Sequence, residues 1–128
     1  MQIFVFGNPD LEIDALPVRM IPALQKIFPN VTFTTLDPNE EWEVPEHMLI
    51  IDTVVNISEL TTFTDLNAFM DAPRMTCHDF DAYSNLMFMK KLGKIQGATI
   101  IGIPPGKKED EVLPGLIQTL HTELDKKH

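Results

Sequence analysis

The nine residues "HMLIIDTVV" (47–55) constrain the fold of this chain more than any other stretch. Successive side chains of a strand point to opposite faces, so the branched residues Leu49, Ile50, Ile51, Val54 and Val55 demand apolar cover on both sides. Strands of that kind sit inside parallel sheets that carry helices on both faces. One residue breaks the pattern. An ionised carboxylate costs several kcal/mol to bury unless it is paired or bound to a metal, so Asp52 needs a reason to be there.

Around this strand, extended and helical patterns alternate. "QIFVF" (2–6) reads as a first strand ending at the turn "GNPD". "DALPVRMIPALQKIF" (14–28) is helical, with Leu16, Met20, Leu24 and Phe28 at every fourth position. Asp14 is a possible N-cap and Pro17 suits a first turn. Pro22, deeper in, removes a hydrogen bond, so an irregular helix start is expected there. "VTFTTL" (31–36) alternates as a second strand, and "DPNEEWEVPE" (37–46) is an acidic loop. "ISELTTFT" (57–64) suggests a short strand or edge element, and "TDLNAFMD" (64–71) fits no single template. "RMTCH" (74–78) is expected to be extended. "DFDAYSNLMFMKKLG" (79–93) should be an amphipathic helix, with Asp79 or Asp81 near its start and Gly93 as its C-cap. "GATIIGIPP" (97–105) is a last buried strand. "KEDEVLPGLIQTLHTELDKKH" (108–128) is a final helix, acidic in its first turn and basic in its last, as the helix dipole favours.

Strands alternating with helices predict one α/β domain over residues 1–128. The expected form is a three-layer α/β/α sandwich with a mostly parallel, twisted sheet of about five strands. Residues 37–46 are short for a helical crossover, but extended they span on the order of 33 Å, enough to cross without a helix.

With 128 residues, 44% hydrophobic and 23% charged, the composition is that of a globular chain. No apolar run approaches the roughly 18 residues of a membrane span, so no membrane association is expected. The start "MQIFVFGNPD" has neither a basic segment nor a small-residue cleavage site, so no export signal is expected. A single cysteine allows no disulfide framework, which fits a reducing, cytoplasmic setting, and a monomer is expected. The net charge is −9, and the ten lysines and arginines form no stripe with aromatics, which argues against nucleic acid as a partner. The acidity suits solubility, or attraction of a cationic partner or metal.

Ligands of open parallel sheets sit beyond the carboxyl ends of the strands. Three polar residues fall at such ends: Asp14 after the first turn, Asp52 in the third strand, and His78 ahead of the helix expected over 79–93. Two carboxylates and an imidazole are a plausible donor set for a borderline divalent metal such as nickel or zinc, which would offset the desolvation of Asp52. Each residue also has a plainer explanation: a helix cap for Asp14, a turn cap for Asp52, a cap or surface imidazole for His78. The other features are weaker. Cys77 and His78, adjacent in an extended segment, would point apart, so no thiol–imidazole dyad is expected and Cys77 reads as an inert buried thiol. "NLMFMKK" (85–91) suits core packing more than a docking surface, and Trp42 is expected to fold over the sheet edge. His47, His121 and His128 have no companions that would make them functional.

Taken in order, "FGNPDLEIDALPVR" (6–19), "LIIDTVV" (49–55) and "CHDF" (77–80) resemble the landmarks of the nickel–iron hydrogenase maturation endopeptidases. In that family a first strand runs into a Gly-Asn-x-x-x-x-Asp-Asp/Glu turn, a later strand ends in Asp-Ala-Val, and a histidine precedes a helix. Gly7 and Asn8 match the opening of the turn and Asp14 its second acid. Asp52 matches the strand aspartate and His78 the histidine. "IIGIPP" (100–105) resembles the Gly-Ile-x-Pro end of the family's last strand. The resemblance implies that Asp14, Asp52 and His78 are the catalytic, metal-contacting residues of a peptidase without a nucleophilic serine or cysteine. It implies that the nickel they contact is carried by the substrate, a hydrogenase large-subunit precursor whose C-terminal extension is trimmed once nickel is in place. The chain departs from the family in having Ile13 for the first acid, Pro17 for a glycine and "DPNEEWEVPE" for a glycine-bearing helical segment. It also has a short tail after Pro105. These departures keep a non-proteolytic nickel-binding relative as the alternative. A response-regulator receiver domain shares the general fold and an aspartate ending strand three. It also needs acids directly after strand one and a lysine ending strand five, where this chain reads "GNPD" and "GIPPGKK".

Overall fold

Among the described residues, five strands and four helices follow one another as β1 (Gln2–Val5), α1 (Leu16–Arg19), α2 (Ile21–Ile27), β2 (Thr32–Thr35), β3 (His47–Thr53), β4 (Thr61–Phe63), α3 (Cys77–Lys91), β5 (Gly97–Ile103) and α4 (Glu109–Asp125). This computed structural model describes residues 2–7, 10–11, 15–35, 45–54, 57–64 and 77–126, with the backbone alone for 77–83. The strands form one sheet in the order β2-β1-β3-β5-β4. β1 pairs in parallel with β2 and β3, β3 in parallel with β5, and β4 runs antiparallel on the β5 edge. The α/β sandwich with a mostly parallel sheet is therefore the observed fold.

The central position of β3 follows from its sequence. Met48, Leu49, Ile50 and Ile51 are all buried, and the odd and even residues enter different cores. Phe4, Phe6, Met48, Ile50 and Val54 meet Leu86 and Met89 of α3 on one face. Ile3, Val5, Leu49 and Ile51 meet Met20, Leu24, Leu116 and Leu120 of α2 and α4 on the other. β2 borders only β1, and its Thr32 and Thr35 are exposed, as an edge strand permits.

Prolines shape the segment after β1. Helix α1 ends at Met20 and α2 begins at Ile21, so Pro22 falls in a first turn instead of a helix interior. Backbone bonds from Met20 to Leu16 (3.1 Å) and from Leu24 to Met20 (3.0 Å) carry the chain through the junction. The irregularity expected at Pro22 is thus a restart of the helix. At the other end of the molecule, α3 closes with Gly93 at φ 79°. The Gly93 amide bonds to the Lys90 carbonyl (3.1 Å) and the Lys94 amide to that of Met89 (2.9 Å), the paired bonds of a Schellman stop.

One local expectation is corrected. Cys77 and His78 are the first residues of α3, not the end of an extended segment. Helical neighbours lie about 100° apart around the axis, so the opposite-face argument does not apply to this pair. The ambiguous stretch 65–71, the crossing loop 36–44 with Trp42, and His128 lie outside the described residues.

Candidate functional site at the carboxyl edge

The chain leaves β1 toward β2 on one side and leaves β3 toward β5 and β4 on the other. The crevice beyond the carboxyl ends of β1 and β3 is therefore the topological switch point, where ligands of open α/β sheets bind. The Phe6 amide still bonds to the Ile51 carbonyl at 2.9 Å, so the two ends remain side by side there.

Asp52 occupies the last residue but one of β3 and is 1% exposed. Its side chain shares strand parity with Met48, Ile50 and Val54, so it lies on the α3 face. Oδ1 accepts the Thr53 backbone N–H at 2.8 Å, which fixes the rotation of the carboxylate. This bond to the next residue in the strand orients the group locally. Beside it in the register stands Gly102 of β5. A Cβ at that position would lie 2.9 Å from Val54 Cγ2, 3.0 Å from Phe63 Cε2 and 3.2 Å from Ile57 Cδ1. Three apolar side chains close over the backbone where Gly102 has none, and they give Asp52 a dry flank.

His78 stands in the first turn of α3. The helix joins β5 through residues 92–96, and the Gln96 amide bonds to the Glu46 carbonyl at 2.6 Å, so its C-terminus lies at the amino edge of the sheet. Fifteen residues rise about 22 Å, close to the length of a seven-residue strand, which returns the N-terminus of α3 to the carboxyl edge. The His78 backbone and Asp52 therefore share one face and one edge of the sheet. The His78 side chain and all of Asp14 lie outside the described residues. The N-cap of α1 is Ala15, which makes no side-chain cap, so the capping position expected for Asp14 belongs to its neighbour. Among the described residues, no three His, Cys, Asp or Glu side chains stand together as a metal site.

The remaining polar candidates resolve into packing. His47 Nε2 meets Thr99 Oγ1 at 3.1 Å at the start of β3, beside a cavity of about 720 Å³ on the amino edge. His121 stacks at a tilt on Phe28, with ring centroids 4.8 Å apart. In "NLMFMKK", Leu86 and Met89 are core residues, whereas Phe88 is exposed.

A feature not anticipated from the sequence lies on the opposite face of the same edge. A cleft of about 910 Å³ opens between α1 and the start of α4, lined in part by Thr53, Arg19, Lys107 and Lys108. The Thr53 hydroxyl is buried and has no hydrogen-bond partner among the described residues. Its signal in the sequence is the same as that of Asp52, a polar side chain inside an aliphatic run, but a neutral hydroxyl costs far less to bury than a carboxylate.

Strand order, layering and the switch-point crevice define a doubly wound α/β/α protein with its candidate site at the ends of β1 and β3. Two solved structures share this architecture. The hydrogenase maturating endopeptidase HybD from E. coli superposes with a TM-score of 0.73 at 20% identity, covering 99% of this chain and 94% of its own. An endopeptidase from Escherichia coli, solved in solution, superposes with a TM-score of 0.68 at 19% identity, with the same coverage. At such identities the likeness establishes the fold. No family model matches the sequence, and comparison with curated proteins gives no match.

Proposed function

We propose that this protein is a maturation endopeptidase that removes the C-terminal extension of a nickel–iron hydrogenase large-subunit precursor after nickel insertion. The observation that carries the reading is Asp52: a buried, oriented carboxylate at the switch point of a fold shared over nearly its whole length with two endopeptidases. The motif resemblance supplies the rest, with Asp14 and His78 as the other contacts to the substrate's metal. His78 stands in the first turn of the helix that covers the Asp52 face, which supports this role.

In this reading the chain's own work is to grip and orient. Asp14, Asp52 and His78 hold the nickel already seated in the precursor, and so place the scissile peptide beside the carboxyl edge. The substrate's metal supplies Lewis acidity toward the scissile carbonyl. A carboxylate of the site accepts a proton from the attacking water. Water's oxygen bonds to the carbonyl carbon, the C–N bond breaks, and the proton passes to the leaving amine. No serine or cysteine nucleophile takes part.

The test follows the size of a hydrogenase large-subunit precursor, nickel-loaded or nickel-free, during incubation with the protein. Shortening of the loaded form alone is expected. His78→Ala should abolish it, because two carboxylates without an imidazole are a harder and less directional set for nickel. Cys77→Ala and Ser84→Ala should retain it. Cleavage of nickel-free precursor, or its block by thiol alkylation, would sink the proposal. Nickel-dependent association without shortening would identify the non-proteolytic relative instead.

A further inference from the structure

We propose that the cleft on the opposite face of the carboxyl edge is a subsite for a peptide carboxylate, bound by the Thr53 hydroxyl and the Lys107 and Lys108 ammonium groups. Thr53 is 4% exposed, lines the cleft, and its Oγ1 has no partner among the described residues. Buried hydroxyls are nearly always satisfied, so an unpartnered one on a residue of the cleft wall points to a partner that arrives from outside. The charge of the walls says what kind. In a chain of net charge −9, Arg19, Lys107 and Lys108 line this cleft against one acid, Glu109, among the described residues. The N-terminus of the 17-residue α4 opens beside it and adds the positive end of a helix dipole. Leu16 and Pro104 supply apolar wall, which suits a carboxylate on a hydrocarbon body better than a compact inorganic anion.

The assignment to a peptide rests on the processing function proposed above. Thr53 follows Asp52 directly, their Cα atoms are about 3.8 Å apart, and their side chains take opposite faces of β3. A chain held at Asp52 and crossing the sheet edge reaches Thr53 within a few residues. The carboxylate could be a chain terminus or an acidic side chain, and both present the same group to the cleft.

Three synthetic peptides distinguish these sources: acetyl-tetraalanine with a free C-terminus, its C-terminal amide, and amidated acetyl-Ala-Glu-Ala-Ala. Each is titrated to millimolar concentration into the full chain while backbone amide resonances are followed. One or both carboxylate peptides should shift the amides of Thr53 and residues 106–109, and the neutral amide should not. Lys107→Gln combined with Lys108→Gln should weaken binding at least tenfold, and Thr53→Val about threefold. The charge-matched control, Lys90→Gln with Lys91→Gln on α3, should leave it unchanged. Equal shifts with all three peptides, no shifts with any, or undiminished binding by the Lys107/Lys108 variant would each overturn the proposal. Neither nickel nor precursor enters the titration, so its failure is distinct from a failure of precursor processing.

Discussion

Asp52 and Thr53 are consecutive polar residues in a strand buried from Met48 onward, and each faces a different core. The carboxylate is tied to the Thr53 amide, whereas the hydroxyl is tied to nothing among the described residues. Replacing Thr53 with Val removes an unsatisfied polar atom at nearly constant volume, which should raise stability by about 1 kcal/mol, or roughly 4 °C in melting temperature. Combined with weaker carboxylate binding, that gain would mark the hydroxyl as kept for a ligand. A fall in melting temperature would show that it is satisfied in solution. Asp52→Asn keeps an Oδ1 acceptor for the Thr53 amide, so the circular dichroism spectrum should be unchanged while processing of nickel-loaded precursor is lost. Gly102→Ala is the contrasting case. Its Cβ would press on Val54 and Phe63, and such overpacking should cost about 1–3 kcal/mol in denaturant titration.

At the scale of the element, the helices differ in how they start and stop. α4 begins with Glu109, Asp110 and Glu111, and Glu111 Oε1 reaches back to the Lys108 amide at 3.2 Å. α3 stops at Gly93 because the Schellman bonds require a left-handed residue, φ 79°, and no atom lies within 4 Å of a Cβ built there. Gly93→Ala should therefore cost only the conformational penalty, about 1 kcal/mol, visible as a lower melting temperature with an unchanged spectrum. Gly93 as the helix stop was legible from sequence, and so was the disturbance at Pro22. The start of α3 was not. Residues 74–78 carry no helical periodicity of their own, and the helix begins at Cys77 two residues before the expected Asp79.

The whole molecule is a sheet with two separate cores. Leu86 belongs to the α3 face and Leu116 to the α4 face, both fully buried, and the two clusters share no residue. Leu86→Ala and Leu116→Ala should each cost about 2–5 kcal/mol, the usual range for such truncations. With the sheet between them, their effects in denaturant titration should add to within about 0.5 kcal/mol. A clear departure from additivity would mean that the two layers repack together. Among the described residues no helix is long and apolar enough to cross a membrane, in keeping with the absence of any long apolar run in the sequence.

The sequence by itself determined the alternation of strands and helices, the central place of β3 and the anomaly of Asp52. These follow from local periodicity and from the cost of burying a charge, both of which act over a few neighbouring residues. Only the tertiary structure decided the strand order, the antiparallel edge strand β4 and the cleft joining Thr53 to Lys107 and Lys108. Those features depend on which strands become neighbours. Residues 53 and 107 carry no mark in the chain of their shared wall, because that contact exists only after β3 and β5 have paired and α4 has packed across them.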